Sequence, residues 1–197
     1  MIKEIIKTFL EQFSELSEKE KQQLGSELNV QKIIKRQILQ EEGKISVNCF
    51  FVLKGLVREY KIIDGTKRTV EFYTESHPAI PSENFIKNLR ADTYLECVED
   101  CFLIVGDHQS ESKSLENYPA LQNIISKMAE DEWVKATKKI SAFKTQSPEK
   151  RYLNFLKERV DLINRVSEGQ IASYLGITPE SLSRIKKRLL DKSKLCN

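Results

Sequence analysis

This chain has little that suits it to metal or covalent chemistry. It holds two histidines, His77 and His108, and four cysteines, Cys49, Cys97, Cys101 and Cys196. No two cysteines form a Cys-x-x-Cys pair and neither histidine stands near them, so the close ligand spacing of a zinc or iron–sulfur site is missing. Cys97 and Cys101 lie four apart on an expected strand and point to one face, inward, as inert core thiols. No nucleophile–base pair and no Gly-rich phosphate loop is legible, which argues against an enzyme. No metal and no cofactor is expected. Long apolar runs are also lacking: none approaches a membrane span. The N-terminal MIKEIIKTFLEQF is amphipathic and charged throughout, unlike a secretory signal. The expectation is a cytoplasmic protein with no membrane partner.

What is present is enough for a core. Of 197 residues, 40% are apolar and 31% charged, which fits one large domain or two small ones. The net charge of +3 conceals an asymmetry: residues 1–143 carry 20 basic and 23 acidic side chains, residues 144–197 carry 12 and 6. A positive end on a slightly negative body suits a polyanion as partner of that end, or an ordinary solvated basic surface. Charge alone does not separate the two.

Pattern divides the chain in three. Ile2, Ile5, Ile6, Phe9 and Leu10 repeat at helical spacing, and Ser17 with Glu20 forms a capping box opening a second helix to Leu28. From residue 30 to 108 the runs QKIIKRQIL, CFFVLKGLVREYKII, KRTVEFY, TYLEC and CFLIV are short, β-branched or aromatic. Asp64-Gly65 marks a tight hairpin between two of them, and the set predicts an antiparallel sandwich or small barrel. From about Ser114 the pattern is helical again. Leu121, Ile125 and Met128 form one stripe; Ala129, Trp133, Ala136, Ile140 and Phe143 form a second at steps of four and three, with a stutter between them. That second stripe is expected as a homodimer seam, the alternative being a helix packed on its own domain. Ser147-Pro148-Glu149 opens a further helix burying Tyr152, Phe155, Leu156, Val160 and Ile163.

The last fifty residues contain QIASYLGITPESLSRIKKRL. With Gly176 as the turn, Ile171, Ala172 and Leu175 share one face of a first helix, and Leu182, Ile185 and Leu189 one face of a second. Ala172 sits where two steeply crossing helices approach closely, and Gly176 where the backbone turns left-handed. Thr178 serves as N-cap and Pro179 as first helical residue. Together these meet the requirements of a helix-turn-helix. In a major groove, Arg184 would bond guanine in bidentate fashion and Glu180 would accept from cytosine. Ser181, Ser183, Lys186, Lys187 and Arg188 would meet phosphates. An ion pair between Glu180 and Arg184 is the competing use of those two charges.

The order of helix, β-roll, long helix and terminal helix pair resembles the Crp/Fnr family of bacterial transcription regulators. The stretch IASYLGITPESLSRIKKRL is similar to that family's DNA-reading segment, and FFVLKGLVREY to the strand–Lys-Gly–strand step of its cyclic-nucleotide-binding-like roll. The resemblance implies an α+β fold: an antiparallel β-roll (a double-stranded β-helix) with flanking helices, a long dimerisation helix and a C-terminal winged-helix or helix-turn-helix domain. The corresponding units are residues 1–113, 114–145 and 146–197. It further implies a homodimer on double-stranded DNA, with RNA polymerase as a further partner. Its base-reading Glu and Arg match Glu180 and Arg184, giving Thr178, Pro179, Glu180, Ser181, Ser183, Arg184, Lys187 and Arg188 as the DNA-contacting set. Pro179 stands where the family often has an Arg, which changes the sequence preference. The candidate ligand pocket is Ser82, Glu83, Asn84, Arg90, Asp92 and Thr93, within PSENFIKNLRADTYLE. Here a Ser, not a Gly, precedes Glu83, and Arg90 is followed by Ala91-Asp92-Thr93. A carboxylate at Asp92 would repel a cyclic phosphate, so weak or absent cyclic AMP binding is expected. The alternative function is a small-molecule sensor whose basic C-terminus docks a protein.

Overall fold

The computed structural model describes residues 1–45, 47–75, 77–79, 87 and 89–195, the last three as backbone only. Ser82, Glu83 and Asn84 of the candidate pocket lie outside the described residues. The N-terminal amphipathic segment forms α1 (Ile2–Leu10) and α2 (Glu18–Glu27). The Ser17 hydroxyl accepts from the Glu20 backbone while the Glu20 carboxylate accepts from Ser17, the reciprocal cap read from the sequence. Leu10, Leu16 and Leu24 pack with Tyr118 and Ile124, so these helices sit on the segment that follows the roll.

Among the described residues eight strands build the roll: β1 (Val30–Ile33), β2 (Ile38–Gln40), β3 (Cys49–Lys54), β4 (Val57–Ile63), β5 (Thr66–Tyr73), β6 (Pro78–Ala79), β7 (Tyr94–Cys97) and β8 (Cys101–Gly106). They pair antiparallel in two sheets, ordered β1-β8-β3-β6 and β2-β7-β4-β5. The run QKIIKRQIL is thus two strands in different sheets, separated where Arg36 takes a positive φ of 70°. Asp64 and Gly65 both take positive φ (50° and 71°), as the β4–β5 turn requires. Phe50, Val52, Val57, Leu95, Cys97, Cys101 and Leu103 close the core between the sheets.

Asp107 caps α3 (His108–Asn117). The long helix expected from residue 114 begins later, as α4 (Ala120–Thr145), because Pro119 denies α3 a donor and holds Tyr118 out of helical geometry. Its inward stripe is Leu121, Ile124 and Met128 rather than Leu121, Ile125 and Met128; Ile125 is exposed and heads the other stripe. Ser147 caps α5 (Pro148–Glu158) with Pro148 in its first turn. Val160 and Ile163 do not extend the buried face. The helix stops at Arg159 (φ −120°, ψ 47°), and a 3-10 turn, Val160–Leu162, drives Leu162 into the core and leaves Val160 62% exposed. The cause is tertiary: the Arg159 guanidinium is held by the Phe72 carbonyl at 3.0 Å, Glu71 at 3.2 Å and Asp161 at 3.2 Å.

The chain closes with α6 (Glu168–Tyr174) and α7 (Pro179–Leu195). No strand lies between Gly106 and Leu195 among the described residues, so the strands of an expected wing are not among them. Leu56 and Phe72 of the roll share one core with Tyr152, Phe155, Leu162, Ala172, Leu175, Leu182 and Ile185.

Candidate nucleic-acid interface

The turn between α6 and α7 is built from backbone hydrogen bonds. Ile177 N–H donates to the Ala172 carbonyl (3.0 Å) and Gly176 N–H to the Ser173 carbonyl (3.1 Å), with Gly176 at φ 65°. This is the Schellman arrangement, which ends a helix on a left-handed residue. Ser167 and Gln170 cap the start of α6 reciprocally. At the start of α7, the Thr178 hydroxyl accepts from Ser181 N–H (3.2 Å) and Leu182 N–H donates to the Thr178 carbonyl (3.0 Å). Both helix starts are therefore fixed to the residue. Fully buried Ala172 lets α6 and α7 approach, while Leu182 and Ile185 anchor α7 from beneath.

Anchoring that face decides the opposite one. Thr178, Pro179, Glu180, Ser183, Arg184, Lys187 and Arg188 are exposed, and Ser181 is half-buried because it completes the cap. Their charges are not equally free. Lys186 pairs with Glu168, while Arg188 and Lys192 both reach Glu149 (3.4 and 2.9 Å). Arg184 and Lys187 take part in no ion pair within 4.0 Å among the described residues, so the competing Glu180–Arg184 pair is not formed. Glu180 titrates below the ordinary carboxylate range. Its own backbone N–H is the largest cause, followed by the Thr178 hydroxyl, with a smaller one from the charge of Arg184.

The second α4 stripe faces outward. Trp133 is 74% exposed, Ile140 58% and Phe143 41%, and Ala129 and Ala136 lie exposed between them. Phe143 is partly engaged within the chain, its ring lying under the Arg151 guanidinium at 4.8 Å. In the candidate pocket, Arg90 is exposed and donates to the Gly43 carbonyl (2.7 Å), and Asp92 pairs with Lys61 (2.7 Å). Thr93 is buried, and its carbonyl accepts from Gln40 (3.3 Å), which lines an open cleft of about 200 Å³ with Glu41, Lys44 and Phe50. The charge of Asp92 thus has a cation beside it, which the sequence does not reveal.

Sequence reasoning missed the contacts that seat the helix pair on the roll. Arg165 holds Glu75 through two bonds (3.0 and 3.1 Å) and Glu99 through two more (2.7 and 3.3 Å). Lys139 of α4 donates to Glu71 (2.7 Å) and lies 4.1 Å from the centre of the Tyr174 ring, and the Ser173 hydroxyl accepts from Thr69 N–H (2.8 Å). Arg165 is 66 residues from Glu99 and 90 from Glu75, so no local pattern signals either pair. Among the described residues no group of three or more His, Cys, Asp and Glu is placed to hold a metal, and no helix is long and apolar enough to cross a membrane.

No family model matches the chain, and no curated protein matches it by sequence. Solved structures do match. FixK2 from Bradyrhizobium japonicum superposes with a TM-score of 0.70 at 19% identity, over 84% of this chain and 86% of that one. The c-di-GMP responsive global regulator CLP of Xanthomonas campestris gives 0.70 at 15% identity, over 90% and 93%. A protein assigned to the Crp/Fnr family of transcriptional regulators from Eubacterium rectale gives 0.66 at 17%, over 90% and 85%. The fold is therefore that of the Crp/Fnr transcription regulators, with the cyclic-nucleotide-binding type of roll.

Proposed function

We propose that the chain is a sequence-specific, DNA-binding transcription regulator that acts as a homodimer. Residues 1–113 form an effector roll, 114–145 hold the dimerisation helix and 146–197 form a helix-turn-helix unit. One observation carries the reading: Arg184 stands exposed, with no ion pair among the described residues, on a helix whose opposite face, Leu182 and Ile185, is locked in a core. A side chain so placed reads a guanine edge, Glu180 faces a neighbouring base, and Thr178, Pro179, Ser181, Ser183, Lys187 and Arg188 position the helix along the groove. The seam of Ala129, Trp133, Ala136, Ile140 and Phe143 then pairs two copies, so that two reading helices meet successive half-sites. RNA polymerase is the further partner such a regulator engages. The roll is a sensor that binds cyclic AMP weakly or not at all, because Arg90, the arginine of the candidate pocket, is spent on the Gly43 backbone carbonyl.

Selection from random duplexes with the purified protein tests this. Enrichment of a two-fold-symmetric sequence, with affinity falling steeply as salt rises, is the expected outcome, because each phosphate contact releases counterions. Absence of any enriched sequence would leave the protein-docking reading of the basic C-terminus in its place.

A further inference from the structure

The long helix meets the helix pair at a joint that leaves no periodic pattern in the sequence. Between the end of α4 at Thr145 and the start of α5 at Pro148 stand Gln146 (φ −110°, ψ 145°) and Ser147 (φ −65°, ψ 156°), both extended. Among the described residues no backbone hydrogen bond crosses from α4 to α5. The soft torsions of these two residues would let everything after them swing on the end of α4. One side chain closes that freedom. Arg151 of α5 donates from Nη1 to the Gln146 carbonyl at 2.9 Å, and from Nη2 and Nε to the Leu175 carbonyl at 3.1 and 3.3 Å. Gln146 caps the end of α4 and Leu175 the end of α6. The Phe143 ring lies 4.8 Å from the guanidinium carbon and also fills the space beside Gly176. Asn154, about one turn further along α5, donates to the Gln146 side-chain carbonyl at 2.9 Å.

Both carbonyls stand at helix C-termini, where the backbone is partly negative and lacks an intrahelical donor. A cation between them is therefore held by charge as well as by geometry. The planar guanidinium suits the place, since it offers donors along two edges while a face carries an aromatic ring; a lysine ammonium cannot do all three.

We propose that Arg151 fixes the angle between the dimerisation helix and the reading helix α7, and thereby the spacing of the two half-sites that the dimer accepts. This rests on the reading of the chain as a DNA-binding dimer. The path from one reading helix to the other runs from α7 through the Gly176 turn to Leu175, across Arg151 to Gln146, and back along α4 to the seam. The bridges of Arg165 and Arg159 seat the helix pair on its own roll, whereas Arg151 joins it to the end of α4. Adding one base pair between half-sites shifts one of them by about 3.4 Å and turns it by about 35°. A stiff joint cannot follow that movement and loses one half-site; a loose joint follows it. Base reading within a half-site needs α7 alone, so spacing preference and base preference separate. Arg151 is thus a positioning residue, acting through the joint and not on a base.

The test compares the parent chain with Arg151→Met and Arg151→Lys, each checked for fold by far-UV circular dichroism and for association by sedimentation. Arg151→Lys keeps the charge, and it stands in for Arg151→Met if that variant unfolds. The duplexes carry the selected half-sites with the spacer as selected, or longer or shorter by one base pair. The parent should prefer the selected spacing by at least about tenfold, and both variants should reduce that ratio to about threefold or less. Single-base changes within a half-site should cost the variants as much as they cost the parent. A parallel measurement omits DNA. It reads the distance distribution between spin-labelled non-canonical residues at positions 138 and 187, with labelled chain diluted in unlabelled chain. One narrow distribution is expected for the parent and one about twice as broad for each variant. An unchanged spacing ratio, an unchanged distance distribution, or base discrimination lost together with spacing overturns the proposal. A parent that selects no symmetric site removes the DNA-binding reading and the spacing claim with it; the distance measurement then still decides whether Arg151 sets the angle.

Discussion

The ring of Phe143 occupies the space that a side chain on Gly176 would need: a Cβ at 176 would fall 2.8 Å from Phe143 Cε1. The last turn of the long helix thus covers the turn of the helix pair, and Gly176 is required twice, by contact and by its φ of 65°. Gly176→Ala should lose at least the roughly 1–2 kcal/mol of a left-handed L-residue, more with the clash. Chemical denaturation measures it. In a Phe143→Ala background the same substitution should cost less, and an unchanged cost would show that the ring is not what confines position 176.

Arg184 and Lys187 differ in the role proposed for them, and binding separates the roles. Arg184→Ala should flatten discrimination at one base pair per half-site, by about 1–3 kcal/mol. Lys187→Ala should weaken every duplex about equally and reduce the salt slope by about one per subunit. Mobility-shift titrations on the selected site and on single-base variants distinguish them; equal losses on all sequences from both variants would refute the base-reading role of Arg184.

Association should depend on the exposed stripe of α4. Ile140→Asp places a charge in the centre of the seam while leaving the core of the chain untouched, since Ile140 is already exposed. Sedimentation equilibrium should show a dimer for the parent chain and a monomer for Ile140→Asp, with the far-UV spectrum preserved. A parent chain that stays monomeric at high micromolar concentration would dismiss the seam.

The seating of the helix pair should fail in acid. Burial works to raise Glu75, but the Arg165 guanidinium and the Gly55 amide outweigh it and hold the group below its ordinary value of 4.5. Asp161 follows the same logic: Arg159 and Thr74 overcome its burial and hold it below 3.8. Folded-state values depressed in this way give stability that is complete above the ordinary pKa and is lost as pH falls through the folded value. Exchange over residues 168–174 should therefore be flat above about pH 5, after correction for intrinsic rates, and rise below pH 4.5. Arg165→Met should remove most of that dependence.

Much of this architecture is written in short-range pattern. The Ser17–Glu20 cap, the Asp64-Gly65 turn, the Ser147-Pro148 start and the turn at Gly176 each depend on residues within one helical turn or one hairpin of each other, and each forms where the sequence places it. The outward face of α7 was legible because Leu182 and Ile185 define its inward face. The misreadings share one origin. Val160 was assigned to a buried face by extending a period that Arg159 interrupts for partners near residue 72. Ile125 was given the place of Ile124 because a one-residue phase choice depends on what covers the helix, here Leu10, Leu16 and Leu24. The charge of Asp92 was read as unopposed because Lys61 lies 31 residues away.

By itself, then, the sequence determined the kinds and order of the elements, the point where α6 turns into α7 and the exposure of Arg184, since local periodicity and backbone sterics suffice for these. Only the tertiary structure decided that the helix pair shares a core with the roll through Leu56 and Phe72, and that Arg165 bridges Glu75 and Glu99. Such pairings join residues brought together by the two folded sheets, and close packing and charge neutralisation between distant segments leave no periodic trace along the chain.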